Sequence, residues 1–241
     1  MAIYTSKTRI DLEDVGYSNK ITNKAILKIL ENAGARQSET IHFGLNDMEN
    51  VGFSWILLGW KVKILKRPIY NEELTINTWG RESNRIFTYR DYEIYDESGE
   101  LCAIATSKWA IVDINTGKLR ELTPEIIEKY QCETKKVFKE DYTLKLKEPV
   151  TIIRKQEYKA QRRDIDINKH IHNLYYLDYA YEVLPEEVYE APECNNIEIM
   201  YKKQIRLNDE FKCLYTKEEN QNIVTMKSED ENTLHAIIKL Y

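Results

Sequence analysis

The chain has 241 residues, 42% of them apolar, and a formal net charge of −5 at pH 7. That length suits one large domain or two ordinary ones, and the acidic balance argues against a nucleic-acid binder, which carries a basic footprint. The N-terminus, MAIYTSKTRI, lacks the apolar core of a signal peptide, and the longest apolar run, residues 51–60, is far short of the roughly 20 residues a membrane span needs, so no membrane insertion is expected.

Cys102, Cys132, Cys194 and Cys213 are widely spaced and form no CxxC pair. Neither a disulfide framework nor a zinc site is expected, and a reducing, cytoplasmic setting is the default. Only eight glycines and five prolines occur, which leaves little scope for long linkers, whereas the 17 tyrosines suit strands and cavity walls.

Along the first half, apolar residues recur at Ala25, Ile26, Ile29, Leu30 and Ala33. They predict a helix over 22–34 with Gly34 as its stop. Strands are predicted over 53–65, 73–79, 85–95 and 101–112, with turn signals at Asp96-Glu97-Ser98-Gly99 and Asn115-Thr116-Gly117. Thr123 followed by Pro124 predicts the start of a short helix. Residues 131–149 are charged, end in Pro149 and read as a connection between a unit at 1–130 and a unit at 150–241.

The second half repeats this plan. A strand at 156–162 precedes a helix over 169–184, apolar and aromatic on most faces, and strands follow at 197–206, 211–216, 222–227 and 233–241. Asn19-Lys20-Ile21-Thr22-Asn23 is similar to residues 168–173, with one extra residue in the second copy, and Trp60-Lys61-Val62-Lys63-Ile64 is similar to residues 201–205. A helix followed by an antiparallel sheet, twice over, is an α+β plan.

Ahead of the second helix, Asp166, Asn168 and His170 are two apart. In an extended segment their side chains share one face, and the helix N-terminus beyond offers N–H donors. A carbonyl held there would have its developing oxyanion stabilised while a carboxylate or imidazole deprotonates water. The first copy has no histidine at this place, so His170 is not needed merely to build the helix.

Two blocks carry a family resemblance. RRDIDINKHIHNLYYLDYAYEVLP resembles the stretch of plant and bacterial acyl-ACP thioesterases that runs Arg-Arg-Asp-x-Asp-x-Asn-x-His-x-x-Asn-x-x-Tyr, and WGRESNRIFTYRDYEIYDESGELCAIATSKWAIVDINTGKLREL resembles the first-domain region of the same family. The resemblance runs from about Arg9 to Tyr241. It implies a tandem (double) hotdog, in which a long helix of each unit is wrapped by a curved antiparallel sheet, and it implies hydrolysis that releases free fatty acid from acyl carrier protein.

By that resemblance Asp166, Asn168 and His170 hold the catalytic positions, with Asp166 or His170 as base and Asn168 placing the carbonyl. In plant members a Glu-Cys pair follows Tyr-Arg-Arg, whereas here the stretch is Tyr201-Lys202-Lys203-Gln204-Ile205. Ile205 excludes a Cys–His nucleophile, and Gln204 can orient water through its carbonyl oxygen but cannot take its proton. The family's first domain accommodates the acyl chain, so Trp55, Ile56 and Leu58 are expected to limit its length, with Asn173 also near the substrate.

Lys61, Lys63, Lys66, Arg67, Arg162, Arg163, Lys202, Lys203 and Arg206 are candidate contacts for the acidic carrier protein. No cofactor is expected, since there is no glycine-rich phosphate loop, and no metal, since Asp164, Asp166 and His170 have no further ligand nearby in sequence. His42 and His235 read as structural, and His172 as outward-facing. An acyl-CoA thioesterase and a non-catalytic acyl-binding module remain alternatives, the latter suggested by Gln204, while a hotdog hydratase fits the residue order less well. Whether two chains pair as a homodimer is left open. Abundant Lys, Ile, Asn and Tyr hint at an AT-rich bacterial genome.

Overall fold

The computed structural model describes residues 3–81, 85–140, 145–192 and 194–241. The chain divides into two compact units, Met1–Thr143 and Leu144–Tyr241.

The first unit contains β1 (Tyr4–Arg9), α1 (Asn23–Thr40), α2 (Met48–Val51), β2 (Phe53–Ile64), β3 (Glu73–Gly80), β4 (Thr88–Tyr95), β5 (Leu101–Asp113), β6 (Leu119–Arg120) and α3 (Pro124–Tyr130). Its antiparallel sheet runs β1-β3-β4-β5-β2, with β6 beside β5. β1 gives little sequence signal because Ser6 and Thr8 occupy alternate positions of a half-exposed edge strand. Both caps have the expected chemistry: Thr22 Oγ1 accepts from Ala25 N at 3.2 Å and Thr123 Oγ1 from Ile126 N at 3.4 Å.

Gly34 does not stop α1, which continues through it to Thr40. A Cβ at position 34 would lie 2.9 Å from Tyr92 Oη and 3.2 Å from Arg90 Cδ. The glycine lets the helix lie close against β4, and its signal is close approach rather than termination. β2 carries a bulge: Leu57 pairs with Trp109 but Gly59 pairs with Lys108, leaving Leu58 extra. Alternation therefore changes phase, and Phe53, Trp55 and Leu57 share a face with Trp60, Val62 and Ile64. That face meets the helix, because Trp60 packs on Tyr92 with ring centroids 5.4 Å apart.

The interior of this unit is partly polar. Arg90, buried, donates to Gln37 Oε1 and, at 3.2 Å, to Thr78 Oγ1, and its guanidinium lies 5.4 Å from the centre of the Tyr130 ring. On the opposite face of the sheet lie residues 133–138. Trp79 Nε1 donates to Lys135 O at 3.0 Å, and Val137 N donates at 3.0 Å to the carboxylate of Asp91, which is 0% exposed and has its pKa raised by burial.

The second unit contains β7 (Arg154–Lys159), α4 (Tyr175–Val183), α5 (Glu186–Tyr189), β8 (Asn196–Tyr201), β9 (Glu210–Glu218), β10 (Gln221–Ser228) and β11 (Leu234–Leu240). Its sheet runs β8-β11-β10-β9-β7, all antiparallel pairs. Two predictions are corrected here. The helix begins at Tyr175 rather than at 169, because residues 166–174 are taken up by a loop and turn. The strand predicted over 197–206 ends at Tyr201, because the residues after it leave the sheet to bond that same loop. Each unit is a helix against an antiparallel sheet, the hotdog arrangement, with a much shorter helix in the second copy.

Candidate active site

Asp166, Asn168 and His170 lie on a loop rather than in an extended segment. Asp166 N donates to His170 O at 2.9 Å and Lys169 N to Asp166 O at 3.0 Å, closing a tight turn in which Lys169 has φ +65°. The same turn exists in the first unit: Gly16 N donates to Lys20 O at 3.0 Å, Asn19 N to Gly16 O at 2.9 Å, and Asn19 has φ +59°. Flanking bonds match as well. Thr22 N donates to Asp14 O and His172 N to Asp164 O, both at 2.9 Å.

The two copies are therefore in register without a gap, and the extra residue inferred from sequence does not exist. The matching shifts the pairs to Gly16 with Asp166, Ser18 with Asn168, Lys20 with His170 and Thr22 with His172. One backbone loop is built twice, and only the second copy carries an acid, an amide and an imidazole on it.

The side chains are organised around Asp166. Its Oδ1 accepts from Asn168 N at 2.8 Å and His170 N at 3.3 Å, and its Oδ2 accepts from Asn168 Nδ2 at 3.4 Å. A carboxylate bonding backbone N–H groups two and four residues on is what favours aspartate in turns. It also turns the amide of Asn168 so that its nitrogen faces Asp166. Asn168 is exposed, while Asp166 and His170 are half-buried. Burial holds the His170 pKa below its usual value of 6.5, Arg206 pushes it the same way, and Asp166 pulls it back up. The imidazole is therefore neutral near pH 7.

Residues 202–206 run beside this loop. Ile171 N donates to Ile205 O at 2.8 Å, Ile205 N to Tyr176 Oη at 3.3 Å, and His170 forms a bridge with Arg206. In the first unit Ile21 N donates to Pro68 O at 2.9 Å and Lys20 bridges Ile69. Pro68 is thus the counterpart of Ile205, and Arg67 that of Gln204, a register different from the one suggested by residues 60–64. Arg67 reaches Ile21 O at 2.9 Å and Asn23 Oδ1 at 2.7 Å, so position 204 is one from which a side chain can reach the loop. Gln204 itself is exposed, and among the described residues its side chain makes no hydrogen bond.

The sequence assigns no role to Tyr176 or Tyr201 and reads His172 as outward-facing. His172 does not simply face outward: at the loop position that matches Thr22, its Nδ1 accepts from Leu174 N at 3.3 Å, although the N-cap of α4 is Leu174 and has no side-chain cap. Tyr201 Oη donates to Asn173 O at 3.1 Å, and Tyr176 packs edge-on against Tyr201 with centroids 5.3 Å apart. The closing tyrosine of the quoted motif is Tyr176, which was the available signal. Asp164 is structural, its buried Oδ2 accepting from Gln161 N at 2.8 Å and Tyr179 Oη at 2.6 Å.

The remaining candidates divide. Trp55 packs with Phe53 and Tyr130 in the apolar cluster of the first unit, Ile56 faces the other side of β2, and Leu58 is the bulged residue, so the three do not form one wall. Asn173 is half-buried at the end of the loop. Lys66 is held by Asp96 and Glu100, both at 2.6 Å, and Arg67 is committed as above, which removes both from the docking set. Lys63, Arg162, Arg163, Lys202, Lys203 and Arg206 are exposed, while Lys61 lies over the Phe138 ring at 4.8 Å. Among the described residues no group of three or more His, Cys, Asp or Glu is placed to hold a metal, and no helix is long and apolar enough to cross a membrane.

The acyl-ACP thioesterase N-terminal domain matches residues 1–130 and the acyl-ACP thioesterase C-terminal domain residues 147–239. The chain belongs to the acyl-ACP thioesterase family. Among relatives of this family, oleoyl-acyl carrier protein thioesterase 2, chloroplastic, of Arabidopsis thaliana is 25% identical over 92% of this chain and 65% of its own length. The Coriandrum sativum oleoyl-acyl carrier protein thioesterase is 23% identical over 93% of this chain and 65% of its own length. This family member thus spans about two thirds of the length of those relatives.

Two solved structures of the family share its fold. An acyl-ACP thioesterase from Bacteroides thetaiotaomicron superposes with a TM-score of 0.86 at 22% identity, covering 99% of this chain and 97% of that one. The 12:0-ACP thioesterase from Umbellularia californica gives 0.88 at 17% identity, covering 100% and 96%.

Proposed function

We propose that this chain hydrolyses fatty acyl thioesters of acyl carrier protein to free fatty acid, with the chemistry in the second unit. The observation that carries this reading is the twin loop. Gly16, Ser18 and Lys20 suffice to build it in the first unit, so the fold does not require Asp166, Asn168 and His170 at the same places. A family whose members bear the name acyl-ACP thioesterase supplies the substrate class.

In this reading the neutral imidazole of His170 takes a proton from water attacking the thioester carbonyl. Asp166 stabilises the imidazolium that results and fixes the amide of Asn168, which contacts the carbonyl or its neighbours. Gln204 holds the water through its carbonyl oxygen and takes no proton. Ile205 offers no thiol, so attack is by water rather than through a Cys acyl-enzyme. The N-terminal domain, residues 1–130 of the first unit, takes up the acyl chain, and residues 131–149 lead from it to the second domain. Arg162, Arg163, Lys202, Lys203 and Arg206 meet the acidic carrier around the loop, with Lys61 and Lys63 as contacts from the first unit. A cytoplasmic, bacterial setting fits the absence of disulfide patterning and the composition.

The test is thiol release from acyl carrier protein and from matching acyl-CoAs by the wild type, His170→Ala and Asn168→Ala. Carrier-bound substrate turned over by the wild type alone supports the reading. Preference for acyl-CoA moves the handle, and binding without turnover by the wild type replaces hydrolysis with acyl binding.

A further inference from the structure

Position 204 is fastened differently in the two units. In the first, Arg67 fastens itself, through its own guanidinium, to Ile21 O and Asn23 Oδ1. In the second, the equivalent residue is an exposed glutamine, and a neighbour secures the chain instead. His235, 5% exposed in β11, places Nδ1 2.8 Å from Lys203 O. A carbonyl oxygen only accepts, so Nδ1 carries the proton. His235 O also accepts from Lys202 N at 2.8 Å, so backbone and side chain of one residue hold both residues that precede Gln204.

The first unit makes the same crossing without a side-chain bond. Ala103 pairs with Ile64 as Ala236 pairs with Tyr201, which puts Cys102 in the place of His235. Cys102 O accepts from Leu65 N at 2.7 Å, but its thiol turns back to Glu100 O, 3.5 Å away.

We propose that His235 is a positioning residue for the hydrolytic site, holding residues 203–205 so that Gln204 is presented to the 164–171 loop with its side chain free for water. The inference rests on the proposed hydrolysis for its catalytic consequence and on geometry alone for its structural one. On the far side of Gln204, Ile205 is pinned to Ile171 and Tyr176, so the residue sits between two fixed points. Burial lowers the His235 pKa, so the ring is neutral near pH 7 and makes the bond as its Nδ1–H tautomer.

The experiment compares His235→Leu, which keeps bulk but loses the donor, with His235→Asn, whose amide NH2 replaces Nδ1–H. For acyl carrier protein substrates, H235L is expected to lower kcat by about 10- to 100-fold, the scale of a misplaced group, with KM within about twofold of the wild type, and H235N to recover most of kcat. Amide exchange at Ile171 and Ile205 is expected to quicken in H235L and not in H235N. Wild-type kcat in H235L, or equal losses in both variants, would overturn the proposal, as would unchanged exchange. If the wild type itself hydrolyses nothing, the functional reading fails, and the exchange comparison still decides whether His235 holds the segment.

Discussion

Ile171 N donates to Ile205 O at 2.8 Å, and Ile21 N donates to Pro68 O at 2.9 Å in the first unit. This one bond, made twice, ties each loop to the segment that follows β2 in the first unit and β8 in the second. The two loops share these backbone bonds and differ in side chains: Gly16, Ser18 and Lys20 with Arg67 beside them in the first, Asp166, Asn168 and His170 with Gln204 in the second. The divergence separates what the fold needs from what the chemistry needs, and it makes the roles of these residues open to independent measurement.

Asp166→Ala is expected to abolish most hydrolysis while leaving the protein folded, because Gly16 takes the same place without a carboxylate. Loss of its bonds to Asn168 N and His170 N should cost about 1 kcal/mol, the usual worth of a capping side chain. Chemical denaturation and kcat measured on the same preparation check this. A stability loss several times larger would make Asp166 structural.

Lys169 has φ +65°, a region that disfavours β-branched residues. Lys169→Gly should leave stability and kcat near wild type, whereas Lys169→Val should cost about 1–2 kcal/mol and lower kcat by distorting the loop. Equal behaviour of the two variants would contradict the geometry.

Gly34→Ala brings two opposing effects together. Alanine gains roughly 1 kcal/mol of helix propensity, but its Cβ would lie 2.9 Å from Tyr92 Oη, an overpacking that costs typically about 1–3 kcal/mol. Net destabilisation is expected, and Tyr92→Phe in the same chain should relieve it by removing the oxygen. Thermal melts of the single and double variants read this directly.

The pH profile follows from His170. Its pKa lies below 6.5, held there first by burial and then by Arg206. As base it must be neutral, so kcat/KM should fall on the acid side with a midpoint below 6.5. Arg206→Ala removes a charge that lowers the pKa, so its acid limb should move to higher pH. Stability has the same sign, because between the lowered pKa and 6.5 the unfolded chain binds more protons at His170 and His235 than the folded one, so stability is lost as pH falls through that window.

Gln204→Glu places a carboxylate at the position where the family resemblance sets a glutamate. A gain in kcat is expected, since a positioned base is typically worth about 10²–10⁴-fold. A variant no faster than wild type would remove position 204 from the water-holding role.

Much of this was legible in sequence where local chemistry decides. Thr123-Pro124 and the Asp96 and Asn115 turns are set by neighbours in the chain, and Asp166, Asn168 and His170 are close in sequence, so any compact local structure brings them together. What could not be read depends on distant partners. Gly34 looks like a helix stop until Tyr92 and Arg90 are seen across it. The early end of β8 at Tyr201 depends on Ile205 bonding Ile171, and the role of His235 depends on a carbonyl 32 residues away. The repeat is visible in sequence, but its register is not, because side chains differ most where the backbones agree.

The most direct test is single-turnover thiol release from acyl carrier protein loaded with acyl chains of graded length, for the wild type and His170→Ala. The account predicts turnover by the wild type, a preference among chain lengths, and a loss of about 10²-fold or more in the variant with unaltered carrier binding. Equal rates in the two proteins would show that the second-unit loop is not the catalytic centre.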